Sequence, residues 1–252
     1  MSNMKIVAVC GSPHKGSCYS VLSTIADNHP EVEYKLIMLG ELNFQQCKGC
    51  YACIARGEDK CPLKDDRDRV VSEMLAADGV IFASPVYVNH ISGLMKSFFD
   101  RIGYESHRPR FFHKQAMVMA VCGGFGADKA AGYMSDILPT FGYNVAASLE
   151  LKASTKSDRE RANNRKQADA AFEKLVAAIQ SDARKPPSVT QVVMFNLFKA
   201  ISNAYPNRFS ADHRYYQDKD GYYDDSKVSF WKQMIAQRAV KDWKKGIGAN
   251  QV

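Results

Sequence analysis

The sequence predicts an α/β protein: a doubly wound, five-stranded parallel sheet of order 2-1-3-4-5, followed by a C-terminal helical and aromatic extension. Short apolar runs alternate with segments of helical periodicity through residues 1–183. Strands that alternate with helices lie parallel and are covered on both faces, and these runs are apolar enough for that. The "ARKPPSVT" stretch at 183–190 then breaks the pattern, because consecutive prolines remove backbone donors and disfavour helix before them.

In chain order, the strands fall at 5–10 (KIVAVC), 34–39 (YKLIML), 79–84 (GVIFAS), 115–122 (QAMVMAVC) and 144–151 (NVAASLEL). Helical periodicity covers 17–28, 66–77, 92–102, 128–141 and 158–181, with Asp65, Ser92 and Asp158 as start signals. Beyond the prolines, "VTQVVMFNLFKAISNAYPNRF" at 189–209 reads as one amphipathic helix. "RYYQDKDGYYDD" and "SFWKQMIAQRAVKDWKK" read as aromatic, charged and partly helical.

A chain of 252 residues with 46% hydrophobic composition holds one sizeable core plus an appendage, which excludes disorder as the general state. The N-terminal stretch does not read as a signal peptide, and no apolar run approaches the roughly 20 residues of a membrane-spanning helix. A cytoplasmic location is expected. Reducing conditions there argue against a disulfide framework, so the seven cysteines are free, ligated or redox-active. The net charge of +7 belongs mainly to the extension, where twelve Lys and Arg from Arg184 onward face six Asp.

After the first strand comes "GSPHKGSCYS", Gly11 to Ser20, opening the first helix. Free backbone N–H groups and the helix dipole at that place suit an anion. Ser12, Ser17, Tyr19 and Ser20 add hydroxyls, while His14 and Lys15 add positive charge. The spacing is neither GxGxxG nor GxxxxGK[ST], so dinucleotide and P-loop readings fail, and an ordinary Gly/Pro turn stays open as the alternative. After the third strand, Ser84, Pro85, Val86, Tyr87 and Asn89 form a stiff turn whose apolar wall and few polar groups suit a planar heteroaromatic ring.

"GSPHKGS", followed about seventy positions on by "SPVYVNHISGLMKSFFDR", resembles the flavodoxin-like NAD(P)H-dependent FMN reductases over residues 4–182. The resemblance implies an FMN phosphate held by Ser12, His14, Ser17 and the backbone of Cys18 and Tyr19. It implies a flavin ring lined by Pro85, Val86, Tyr87, Val88 and Asn89, with Gly123 and Gly124 of "CGGFGADK" approaching it from the fourth strand. His14 stands where this family commonly has Arg, replacing a permanently charged, planar fork with an imidazole.

Cys47, Cys50, Cys53 and Cys61 are spaced C-x2-C-x2-C-x7-C. Three thiolates at intervals of three can converge on one cubane, as in bacterial ferredoxins. Structural zinc more often uses two separated knuckles, and free or redox-active thiols stay open. Within the resembling family, this loop and the following "KDDRDRV" look like the iron-sulfur flavoproteins, whose four cysteines hold a [4Fe-4S] cluster. Cys10 and Cys122, at strand ends, read as structural.

Among lone residues, His29 and His213 are expected to be exposed, and His90 to cap or solvate a helix start. His107 and His113 are expected on a surface loop, and Arg101, Arg108 and Arg110 on a solvated face. The aromatics of the extension, Tyr205, Phe209, Tyr215, Tyr216, Tyr222, Tyr223, Trp231 and Trp243, are expected to pack on their own domain or a sister subunit rather than on nucleic acid or membrane. The resemblance implies an FMN-binding domain at 1–183, and the aromatic and basic composition of 184–252 suggests a segment serving a homodimer or homotetramer. Electrons would come from NAD(P)H or a ferredoxin and pass through FMN, with or without the cluster, to an acceptor. A carrier without enzymatic activity is the other reading.

Overall fold

The computed structural model describes residues 4–153, 157–182, 184–222 and 227–249. Its elements run β1 (Lys5–Cys10), α1 (Ser17–Asn28), β2 (Glu33–Met38), α2 (Ala52–Ala55), α3 (Arg67–Ala76), β3 (Gly79–Tyr87), β4 (His90–Ile91), α4 (Gly93–Arg101), β5 (Gln115–Cys122), α5 (Ala127–Ile137), β6 (Asn144–Lys152), α6 (Asp158–Ser181), α7 (Val189–Ala204), α8 (Ser210–Tyr216) and α9 (Phe230–Ala249). The long strands lie in the order β2-β1-β3-β5-β6, all parallel, which is the expected 2-1-3-4-5 once the two-residue β4 is set aside.

Side chains of successive strand residues point to opposite faces, and the core divides accordingly. Ile6, Ala8 and Cys10 pack with Leu22 and Ile25 of α1 and Phe172 and Leu175 of α6. Val7 and Val9 pack on the other face with Val70 and Met74 of α3, Phe98 of α4 and Met134 of α5. Cys10, Cys18 and Cys122 are buried, as strand-end and first-turn positions imply.

Several expectations need correction. The helix expected over 189–209 ends at Ala204, because Pro206 disfavours helix at Tyr205; the chain turns and restarts as α8. Asp65 is not the cap of α3: Asp66 holds that position, and Asp65 instead accepts from the Arg67 N–H at 3.2 Å. His29 is half-buried against Phe172, with ring centroids 4.5 Å apart; His90 is exposed, in β4 beside Tyr133, while Ser92 caps α4. Arg101 and Arg108 are buried rather than solvated, and His107 is held by Asp212 and stacked on Phe198. Among the extension's aromatics, Tyr216 and Tyr222 are buried, whereas Trp231 is 54% exposed. Tyr223 and position 183 lie outside the described residues.

Candidate functional site

Strand β1 ends at Cys10, and Gly11 ties the following turn to the sheet by donating its N–H to the Ala83 carbonyl at 2.8 Å. A Cβ on Gly11 would lie 2.7 Å from the Cβ of Met95, so a residue without a side chain is required. Ser92, the cap of α4, donates its hydroxyl to the Gly11 carbonyl at 2.6 Å and accepts from the Met95 N–H at 3.1 Å. Ser84 Oγ accepts from the Ser92 N–H at 2.9 Å. Two buried serines thus lock the first turn to the loop after β3.

Within the first turn, the Ser12 hydroxyl donates to the His14 carbonyl at 2.7 Å. Helix α1 begins at Ser17 behind Gly16, with no side-chain cap. The positive end of the helix and its first N–H groups therefore remain to be satisfied by something other than the protein's own side chains. Across the cleft, β3 continues through Tyr87 into a two-residue hairpin turn with β4, pairing Val86 with Ile91 and Tyr87 with His90. Val88 and Asn89 both take positive φ, 49° and 63°, as a type I′ turn demands. A β-branched residue in that region is strained, and Val88 is also 99% exposed.

These elements enclose a cleft of about 230 Å³ at the carboxyl ends of β1, β3 and β5. Ser12, His14, Ser17, Cys18, Pro85, Val86, Tyr87 and Gly123 line it, with Val121, Cys122 and Ala153 as additional wall residues. Tyr19, Val88, Asn89 and Gly124 are outside that lining: Tyr19 packs under the Lys15 ammonium, 5.4 Å from ring centroid to nitrogen, and Val88 and Asn89 form the hairpin tip. A Cβ added at Gly123 or Gly124 would meet nothing within 4 Å, so that backbone is open to approach. Hydroxyls, an imidazole and an uncapped helix end on one side, with an apolar wall and open backbone on the other, fit the phosphate and ring of FMN. A larger cavity, about 710 Å³, lies at the amino ends of β5 and β6 beside Arg184–Pro187, away from the edge where doubly wound sheets bind ligands.

The cysteine loop leaves β2 at the same edge. A Cβ on Gly40 would lie 2.7 Å from Pro13 Cα, so this loop begins in contact with the phosphate turn. Its ends are stapled by Asp65 and Asp66, which accept from the Gln45 and Asn43 N–H groups, each at 2.9 Å. Arg101 grips Asp65 through both guanidinium nitrogens, donates to the Gln45 carbonyl at 2.8 Å, and sets Nη2 at 3.9 Å from Cys61 Sγ. Burial opposes charge on Asp65, yet the Arg101 guanidinium and the Gln45 and Arg67 N–H groups hold its carboxyl below the usual range.

Cys47 and Cys50 are exposed, Cys53 is half-buried and Cys61 is buried. Burial, and after it the nearby Cys61 and Cys47 thiols, push the Cys53 thiol up. Among the described residues, no three His, Cys, Asp or Glu side chains converge as metal ligands. As placed, the four thiols do not fit a metal centre. Residues that sequence reasoning missed are the arginines holding this loop and Asp212 of α8. Arg101 and Arg108 were noticed but read as solvated, and nothing in the sequence marked Asp212.

The sequence model of NADPH-dependent FMN reductase matches residues 4–158. An iron-sulfur flavoprotein of Archaeoglobus fulgidus is 29% identical over 225 residues, covering 86% of this chain and 99% of that protein. Another, from Clostridioides difficile, is 26% identical over 204 residues, covering 79% and 89%. The solved NAD(P)H:quinone oxidoreductase of Methanothermobacter marburgensis shares the fold at a TM-score of 0.54 and 19% identity, covering 69% of this chain and 96% of that one.

Proposed function

The chain belongs to the NADPH-dependent FMN reductase family, and from that premise we propose that it is an NAD(P)H-dependent oxidoreductase holding FMN in the cleft between β1, β3 and β5. The observation that carries this reading is the uncapped start of α1, facing an apolar wall across one cleft. Ser12, His14, Ser17 and the first N–H groups of α1, from Ser17, Cys18 and Tyr19, would take the phosphate. Pro85, Val86 and Tyr87 would form the wall for the ring, Val88 and Asn89 its edge, and Gly123 and Gly124 its open side. Bound FMN supplies hydride acceptance and release of single electrons. The chain's part is to bind, orient and shield it, and no side chain is assigned as acid or base.

Stopped-flow mixing of the FMN-loaded protein with NADPH or NADH tests this. Bleaching near 450 nm within the turnover range typical of enzymes, about 1 s⁻¹ or faster, is expected. Reduction by a low-potential ferredoxin alone would overturn it in favour of an electron carrier.

A second reading is favoured by the cysteine spacing, together with relatives named iron-sulfur flavoprotein. In it, Cys47, Cys50, Cys53 and Cys61 take a [4Fe-4S] cluster after the exposed thiols turn inward, with a ferredoxin as a possible donor class. Iron and acid-labile sulfide on anaerobically purified protein decide it: about four of each per chain supports the cluster, and none after reconstitution removes it. We also propose 1–183 as the FMN-binding unit and 184–252 as an extension serving a homodimer or homotetramer, in a cytoplasmic setting. Light scattering after truncation at Pro186 tests the assembly. No described helix is long and apolar enough to cross a membrane.

A further inference from the structure

Helix α2, Ala52–Ala55, carries Cys53 and is a single turn. A lone turn fixes several dihedrals for few hydrogen bonds and does not persist on its own. Its approach is also costly at Tyr51, which takes a left-handed φ of 57°, a conformation unfavourable for a residue with a Cβ. Within the turn, the N–H groups of Ile54 and Ala55 reach the Tyr51 carbonyl and that of Arg56 reaches Ala52. The next four carbonyls are satisfied from elsewhere in the chain. Arg108 donates to Cys53 O at 2.6 Å and to Ile54 O at 3.0 Å. From α8, Ser210 donates to Ala55 O at 3.4 Å and Arg214 to Arg56 O at 3.3 Å.

Arg108 is itself held by α8. Its Nη1 pairs with Asp212 Oδ1, and Nη2 lies 3.2 Å from Glu58 of the cysteine loop. The other Asp212 oxygen bonds His107 Nδ1 at 2.9 Å. Tyr216 and Tyr215 donate their hydroxyls to the His107 and Pro109 carbonyls at 2.5 and 2.6 Å, fixing the segment on either side of Arg108. The Arg108 and Asp212 side chains are 7% and 4% exposed, so each depends on the other for charge compensation.

We propose that α8 of the C-terminal extension is a latch on the cysteine loop, with Asp212 and Arg108 as positioning residues that set the turn carrying Cys53. This assigns part of the extension a role within the chain, separate from assembly. It concerns the loop alone, so its success or failure does not depend on the FMN reading.

Hydrogen exchange on the full-length protein, followed by mass spectrometry of peptides spanning 51–61, tests the latch. Asp212→Ala is expected to speed exchange there about tenfold, the size of one lost charge-assisted hydrogen bond, while peptides of β1 and β5 keep their rates. Asp212→Glu is expected to restore most of the protection. Lys232→Ala removes an extension contact to the Pro187 carbonyl that does not reach α2, and is expected to leave 51–61 unchanged. Should Asp212→Ala fail to fold by circular dichroism, the double variant Ser210→Ala, Arg214→Ala decides, with faster exchange confined to 51–61 expected. Unchanged exchange at 51–61 in a folded Asp212→Ala or in the double variant overturns the proposal. So does an equal acceleration in Lys232→Ala.

Discussion

The turn after β1 and the cysteine loop after β2 leave adjacent strands at the same edge of the sheet, yet they are held in different ways. The turn is anchored by its own backbone and by two serines: Gly11 N–H to Ala83 O, Ser92 Oγ to Gly11 O, Ser84 Oγ to Ser92 N. The cysteine loop is anchored by long charged side chains from distant elements: Arg101 on Asp65, Arg67 on the Glu58 carbonyl, and Arg108 on the Cys53 and Ile54 carbonyls. A turn held by strand ends and buried serines keeps its anchors without any charge to compensate. A loop held by buried ion pairs is only as fixed as its charges are compensated.

The comparison breaks if the ion pairs prove dispensable. Asp65→Ala leaves Arg101 buried without its carboxylate and is expected to cost about 3–5 kcal/mol in urea unfolding, with FMN affinity in the folded protein little changed. Because the Asp65 carboxyl is held below its usual range, its stabilisation is present above the ordinary carboxylate pKa and is lost as pH falls through the lowered value. Wild type should therefore lose more stability on acidification than a folded Asp65→Asn variant does. A parallel pH dependence for the two would contradict the pairing.

A smaller cost falls on the turn. Gly11→Ala would set a Cβ 2.7 Å from Met95 Cβ and 2.9 Å from Ser92 Oγ, and is expected to cost about 1–3 kcal/mol. Here FMN affinity should fall with stability, because the strain lies beneath the phosphate turn itself. Normal FMN binding in this variant would show the turn to be more pliable than its backbone anchors imply.

Glu105 sharpens the picture of the loop's surroundings. Burial pushes its carboxyl up to about 7, against the Arg110 guanidinium that bonds it. A raised carboxyl stabilises the fold fully below the ordinary carboxylate pKa and less as pH rises through about 7. Denaturant midpoints should thus fall between pH 5 and 7 in wild type, and this slope should flatten in Glu105→Gln. The smallest expected effect is at His14: His14→Arg should lower the FMN dissociation constant a few-fold at pH 8, and equal constants would refute a phosphate contact there.

Strand and helix positions were legible because their signals are local. The run KIVAVC became β1 over the same six residues, and the helix expected at 158–181 is α6. The turn between β1 and α1 was legible too, since glycine, serine and a helix start act over ten positions. Asn89 was read as part of a stiff turn and Val88 as lining a ring, but the hairpin depends on β3 running on to Tyr87, which depends on pairing with Ile91 and His90. The latch was not legible at all. Arg108 and Asp212 are 104 positions apart, and an Arg in "RPRFF" looks the same whether it meets water or a buried carboxylate. Asp212 reads as one more charge in a basic extension until α8 is laid against the loop.

Flavin fluorescence titration of the apoprotein with FMN and with riboflavin tests the central claim most directly, because the two ligands differ only at the phosphate. The account predicts FMN to bind about a hundredfold more tightly, the worth of one or two charge-assisted hydrogen bonds at the start of α1. Equal affinity for riboflavin would contradict a phosphate site in the turn after β1.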